Sequence, residues 1–152
     1  VTAPTSIRSS FASAALRHVR DAEHLAAAGE HASRDQAWHL IGFGPECARK
    51  AMFVEGWVAK ALGHELTDFG DELAAWVAAL EPLPHRYRAH SAARELAALK
   101  SWRADVRYEA TGTIDAARRN LTVALGEAAT FVHDRVAELW SDGLVELDGA
   151  DL

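Results

Sequence analysis

The sequence predicts an all-α fold, an up-and-down bundle of four to five helices with two long helices among them. Apolar residues recur three and four positions apart over long stretches, the spacing that lines one face of an α-helix. Alanine, the strongest helix former, occurs 32 times in 152 residues. Alternating runs of Val, Ile and Thr, the mark of half-buried strands, are nearly absent. Helices joined by short connections pack most economically as antiparallel neighbours around one core. With 49% hydrophobic and 25% charged residues, the chain has apolar surface enough for one domain. That domain is expected over residues 1–140, followed by an acidic tail at 141–152 that frays.

The first helix is expected from Ser6 to Ala28, because Ile7, Phe11, Ala15, Val19, Ala22 and Ala26 share a face and Gly29 supplies a stop. Ser33 with Gln36 three residues on has the form of a capping box. Ala37, Leu40, Ile41, Gly44, Cys47, Ala48, Ala51, Val58 and Leu62 then continue a second stripe, so one long helix is expected to reach Leu62. Pro45 inside it removes an N–H and crowds the Ile41 carbonyl, which predicts a kink. A shorter third helix is expected from Asp68 to Leu80, ended by Pro82 and Pro84, and another from Ser91 to Lys100. After Trp102, Tyr108 and a loop at Glu109 to Gly112, Thr113 begins the last long helix. Its buried face reads Ile114, Ala117, Leu121, Ala124, Ala128, Phe131, Arg135 and Leu139, ending near Trp140.

Sixteen Lys plus Arg against 22 Asp plus Glu leave a formal charge of −6. Such a balance argues against a surface given over to nucleic acid or to an anionic membrane. The single cysteine, Cys47, excludes an internal disulfide and a zinc site of several thiolates, and its place on the buried stripe makes it a structural thiol. No run of about 18 apolar residues is present and the first residues lack a signal-peptide pattern, so a cytoplasmic protein without membrane contact is expected.

Beside the core stripe of the second helix runs a mixed one. His39, Phe43, Glu46, Lys50, Phe53 and Trp57 recur at steps of three and four, and so share a face. One reading is a Glu46–Lys50 surface pair with the aromatics packed on a neighbour; the other is a pocket or an interface. Phe43, Phe53 and Trp57 add large apolar groups beyond those the core stripe needs, which predicts a homodimer.

This stretch resembles the HEPN family of small prokaryotic helical domains. Similar proteins show a pattern H-L-x-G-F-x-x-E-C-x-x-K-A in the second helix, which His39, Leu40, Gly42, Phe43, Glu46, Cys47, Lys50 and Ala51 fit, and a Trp followed by an Arg-Tyr pair before the last helix, which Trp102, Arg107 and Tyr108 fit. The resemblance covers most of the chain. It implies a bundle that dimerises through its long helices, in proteins of toxin–antitoxin, defence or RNA-processing systems, with a nucleotidyltransferase-type antitoxin as one kind of partner.

Active members of that family are metal-independent ribonucleases with an Arg, a polar residue and, four to six residues on, a His. There the Arg stabilises developing negative charge and the His transfers a proton. In this chain Arg119 and Asn120 fit the beginning of that motif, but the position expected for His is Ala124. Arg34 and His39 match the bare spacing early in the second helix. The departure predicts a binding or regulatory module for a protein, a nucleotide or RNA, rather than a ribonuclease. An active endoribonuclease using the displaced pair is the rival within the family.

The stretch 85–107 carries six Lys or Arg against Glu95 and Asp105, interleaved with Tyr87 and Trp102, and Tyr108 follows directly. Basic groups among aromatics bind phosphate and stack bases in single-strand binders, which makes RNA a partner through Arg103, Arg107 and Tyr108. Alternatively the arginine stems cover aromatic surface and pair with acids. A metal-dependent enzyme on a four-helix bundle is the remaining rival, with His24, His39 and His133 as ligands and Asp35 beside His39. A complete ligand set is missing, so no metal or other cofactor is expected.

Overall fold

The Ser6 side chain starts the first helix by accepting a hydrogen bond from the Ser9 amide at 3.1 Å, satisfying one of the donors that a helix N-terminus leaves open. Helix α1 (Ile7–Ala28) then runs to Gly29, whose φ of 76° is left-handed and whose N–H closes on the Ala26 carbonyl. The computed structural model describes residues 6–53, 56–64, 66, 72, 75, 76, 79 and 92–147, and every regular element among them is helical. The short connection through Gly29 and Glu30 brings α2 (His31–Ala51) back along α1. There follow α3 (Gly56–Leu62), α4 (Ala92–Glu95), the 3₁₀ turns Ala97–Leu99 and Ala104–Tyr108, the single turn α5 (Thr113–Ala116), and α6 (Leu121–Ser141).

Small residues set how closely the three long helices approach. Ala12, Ala15 and Ala22 of α1, Ala37, Ala48 and Ala51 of α2, and Ala124 and Ala128 of α6 are all fully buried. The three helices meet at Gly44, where a Cβ would lie 3.1 Å from Val19 Cγ2 of α1 and 3.4 Å from Val132 Cγ2 of α6. Trp38, Ile41 and Leu139 fill the volume that the alanines leave.

The second helix ends at Ala51 rather than Leu62. Met52 and Phe53 turn into the core, and the Met52 carbonyl accepts a hydrogen bond from Arg8 Nη2 at 3.1 Å. Burying two large apolar side chains outweighs another helical turn. The helix also starts earlier than expected, at His31, with Glu30 at its cap and no side-chain hydrogen bond there, so Ser33 and Gln36 form no capping box. Pro45 lies inside α2 without ending it.

The last helix is divided. After α5 closes, Arg118 takes a φ of 52°, and Asn120 starts α6 by accepting a hydrogen bond from the Val123 amide at 3.1 Å. Ala117 falls in the break and is exposed. Ile7, at the head of the expected first stripe, is exposed too, while Arg8 and Ser9 are buried in its place. Ser9 Oγ accepts from the Glu146 amide at 2.9 Å, so the chain after α6 folds back onto α1 and buries Val145. The start of the tail expected to fray is therefore docked; residues 148–152 lie outside the described residues.

The helix expected from Ser91 to Lys100 is one α turn and one 3₁₀ turn, separated where Leu96 leaves helical geometry at φ −118° and ψ 48°. Of the third helix expected at 68–80, residues 72, 75, 76 and 79 are described and all are helical. Its remainder, with the prolines at 82 and 84, lies outside the described residues. No helix among the described residues is long and apolar enough to cross a membrane.

Candidate functional site

Four rings surround Phe43. Its centroid lies 4.8 Å from that of His39, 5.2 Å from Trp102, and 5.7 Å from both His18 and His64. His39, His64 and Trp102 meet it edge to face, the arrangement that the ring quadrupole favours. Helix α2 places His39 and Phe43 four residues apart on one face, α1 contributes His18, and the turn after α3 contributes His64. Trp102 enters over Gly42, and its Nε1 donates to the His39 carbonyl at 3.2 Å. Burial holds the imidazoles of His18 and His39 below their ordinary range, with Arg17 adding to the effect at His18 and Arg107, then His18, at His39. The Nδ1 atoms of both are buried without a hydrogen-bond partner.

Glu46 and Lys50 form the expected i, i+4 pair, but inside the protein: they are 4% and 9% exposed. Lys50 Nζ donates to Glu46 Oε1 at 2.5 Å, while Glu46 Oε2 lies 2.9 Å from His64 Nδ1. A buried carboxylate with both oxygens engaged fastens the turn after α3 to α2. His39, Phe43, Glu46 and Lys50 of the mixed stripe are thus brought together, whereas Trp57 is 51% exposed. His18 escaped the sequence reading although it lies between Ala15 and Ala22 at core spacing, a polar residue on an apolar face. No local signal marks His64.

The residues matching a nuclease motif are held elsewhere. Arg34 Nε donates to Asp115 Oδ1 at 3.0 Å, and His31 Nδ1 sits 2.7 Å from Asp115 Oδ2. The His31 hydrogen bond, with that of Arg34, keeps the Asp115 carboxyl below the usual range. Arg34 therefore serves α5 while His39 faces Phe43, and the two do not converge. Asp35 does not pair with His39; its oxygens accept from the Gly112 and Ile114 amides at 2.5 and 3.1 Å and cap α5 from another helix. Asn120 caps α6. Arg119 has Nη1 3.5 Å from Glu109 and its guanidinium 5.3 Å from the Trp38 ring centre, and Ala124 is 0% exposed.

Next to Arg119 opens a cleft of about 480 Å³, lined by Ser101, Arg103, Asp105, Val106, Tyr108, Glu109 and Arg119. Arg103 grips Asp105 with Nε at 3.0 Å and Nη2 at 2.6 Å, and this hydrogen bonding holds the Asp105 carboxyl low. Tyr108 is 76% exposed, and the Arg107 guanidinium lies 4.8 Å from its ring centre. The beginning of the basic stretch, 85–91, lies outside the described residues.

Among the described residues no group of three or more His, Cys, Asp or Glu side chains is placed to hold a metal ion. His24 and His133, the ligands considered with His39, are exposed on α1 and α6. Cys47 is buried, and burial, with Glu46 beside it, pushes its thiol up to about 11, which leaves it unreactive. Phe53 is buried in the chain's own core, Phe43 is partly buried within the ring cluster, and Trp57 is 51% exposed. No family model matches the chain, and neither a curated protein nor a solved structure matches it.

Proposed function

We propose that the chain is a HEPN-like binding module that takes a nucleotide or a short single-stranded RNA segment and does not cut it. The observation that carries this reading is the cleft beside Arg119, where an exposed tyrosine stands among guanidinium groups and, among the described residues, no histidine lines the wall. Tyr108 offers a stacking face for a base, and Arg103 and Arg119 offer donors for phosphate oxygens. Their carboxylate neighbours, Asp105 and Glu109, keep the cleft near charge balance, so binding is weak and sensitive to salt. Cleavage would need a proton-transfer group beside Arg119. Asn120 is occupied as a helix cap and Ala124 is inside the core.

Fluorescence anisotropy with a labelled single-stranded RNA tests the reading. Wild type binds without cleaving, and Tyr108→Ala weakens binding at least about fivefold, the lower end of the roughly 1–3 kcal/mol that a stacked base contributes. Cleavage by wild type that Arg34→Ala or His39→Ala abolishes would establish instead the active ribonuclease with a displaced motif. A second reading, binding of a protein such as a second copy or a nucleotidyltransferase-type antitoxin, is favoured by Trp57, Trp76 and Trp140, each at least half exposed. Light scattering and co-purification from the native host separate these.

A further inference from the structure

We propose that the ring cluster around Phe43 is an acid-sensitive switch, which releases Trp102 from α2 when His18 and His39 take up protons. The cluster joins four separate parts of the chain through one phenyl ring: α1 through His18, α2 through His39, the turn after α3 through His64, and the segment between the two 3₁₀ turns through Trp102. Neutral imidazoles suit such a place. An imidazolium does not, because Nδ1 of His18 and Nδ1 of His39 are each sealed from water with no acceptor, and a proton there leaves a charged donor unsatisfied.

The charges around the two rings offer little relief. His39 faces Arg107 from the second 3₁₀ turn and His18 from α1, both repelling a proton. His18 faces Arg17, which repels, and Asp21 and Glu46, which attract. Glu46 is already engaged by Lys50 and His64. Acid thus strains the side of Phe43 that holds Trp102. Trp102 yields first: it lies outside regular helix, resting on Gly42 through packing and on the His39 carbonyl through one indole N–H bond. Its release uncovers Phe43 and the apolar face of α2 at Gly42.

The full chain labelled with 5-fluorotryptophan reports this directly by ¹⁹F NMR, with the Trp102 resonance identified from Trp102→Phe. Between about pH 7.5 and about pH 4.5, that resonance shifts reversibly while far-UV ellipticity holds. Its midpoint lies below the ordinary imidazole value of 6.5. In the double variant His18→Gln/His39→Gln the shift is lost. Should that variant fail to fold, the ring protons of His18 and His39 in the wild-type protein give the reading, titrating with the Trp102 midpoint. A static Trp102 resonance, a shift that coincides with loss of ellipticity, a shift retained in the folded double variant, or titration of both histidines without movement of Trp102 would each overturn the proposal.

Discussion

Trp102 occupies the space that a side chain at position 42 would need. A Cβ on Gly42 would lie 1.9 Å from Trp102 Cε2, far inside contact distance, so even alanine must displace the indole. Two effects oppose each other in Gly42→Ala. Helix propensity stabilises α2 by about 1 kcal/mol, whereas forcing the core apart costs about 1–3 kcal/mol and here also the Trp102–His39 hydrogen bond. Urea denaturation is expected to show a net loss of about 1–2 kcal/mol, and a gain in stability would mean that Trp102 does not rest on α2.

The buried pair Glu46–Lys50 predicts a particular ordering of variants. Glu46→Leu leaves the Lys50 ammonium buried without its carboxylate and frees His64, which costs about 3–5 kcal/mol. Lys50→Met leaves Glu46 with His64 as partner, and its loss is smaller. The double variant Glu46→Leu/Lys50→Met is expected to be more stable than Glu46→Leu alone, because no unpaired charge remains. A double-mutant cycle by chemical denaturation checks the order.

Asp35 caps a helix to which it does not belong. Asp35→Ala removes the acceptor for two amides, those of Gly112 and Ile114, and is expected to cost about 1–2 kcal/mol. Amide hydrogen exchange should quicken at 112–114 while α6 keeps its protection, since Asn120 caps that helix independently. Equal loss of protection along α6 would show that the two helices are one cooperative unit.

Stability should fall with acid in a defined window. The folded His18 and His39 bind protons less readily than the ordinary value of 6.5, so just below pH 6.5 the unfolded chain holds more protons than the folded one. Their contribution is complete above pH 6.5, declines as pH falls toward the folded values, and is gone below them. Asp115, held low by His31 and Arg34, loses its contribution only at pH below the ordinary 3.8. Urea midpoints at about pH 7.5 and about pH 5 therefore separate the two, and a midpoint unchanged at about pH 5 would mean that the histidines are not buried as neutral rings.

What was legible in the sequence is local. Ser6 and Gly29 bound α1 through hydrogen bonds to residues three positions away, and such caps leave a signature in a short window. Asn120 had the same kind of signature, but the apolar run from Ile114 to Leu139 continues across it and hid the break. The end of α2 had no signature at all, because the Met52 carbonyl is satisfied by Arg8, 44 positions earlier. The site divides in the same way. Spacing alone places His39, Phe43, Glu46 and Lys50 on one face, whereas Glu46 meets His64, and Phe43 meets His18, His64 and Trp102, from elsewhere in the chain. Those residues reach the face only through tertiary packing, which no helical period records.

Ala124 marks where the proposed absence of nuclease chemistry can be tested by addition. It is 0% exposed on the core face of α6, so Ala124→His puts a polar ring where α6 packs against α1 and α2, at a cost of about 1–3 kcal/mol. Five residues separate it from Arg119, about 500° of helical rotation if the helix were continuous, which leaves the two roughly 140° apart around the axis. The left-handed Arg118 and the cap at Asn120 break that helix and turn Arg119 toward Glu109 and Trp38 instead. The added imidazole therefore points into the core while Arg119 lines the cleft. The variant is expected to melt lower than wild type and to leave single-stranded RNA intact in the presence of EDTA. A variant as stable as wild type that cleaves RNA, and stops when Arg119→Ala is added, would place position 124 in the cleft and make the chain a ribonuclease lacking one group.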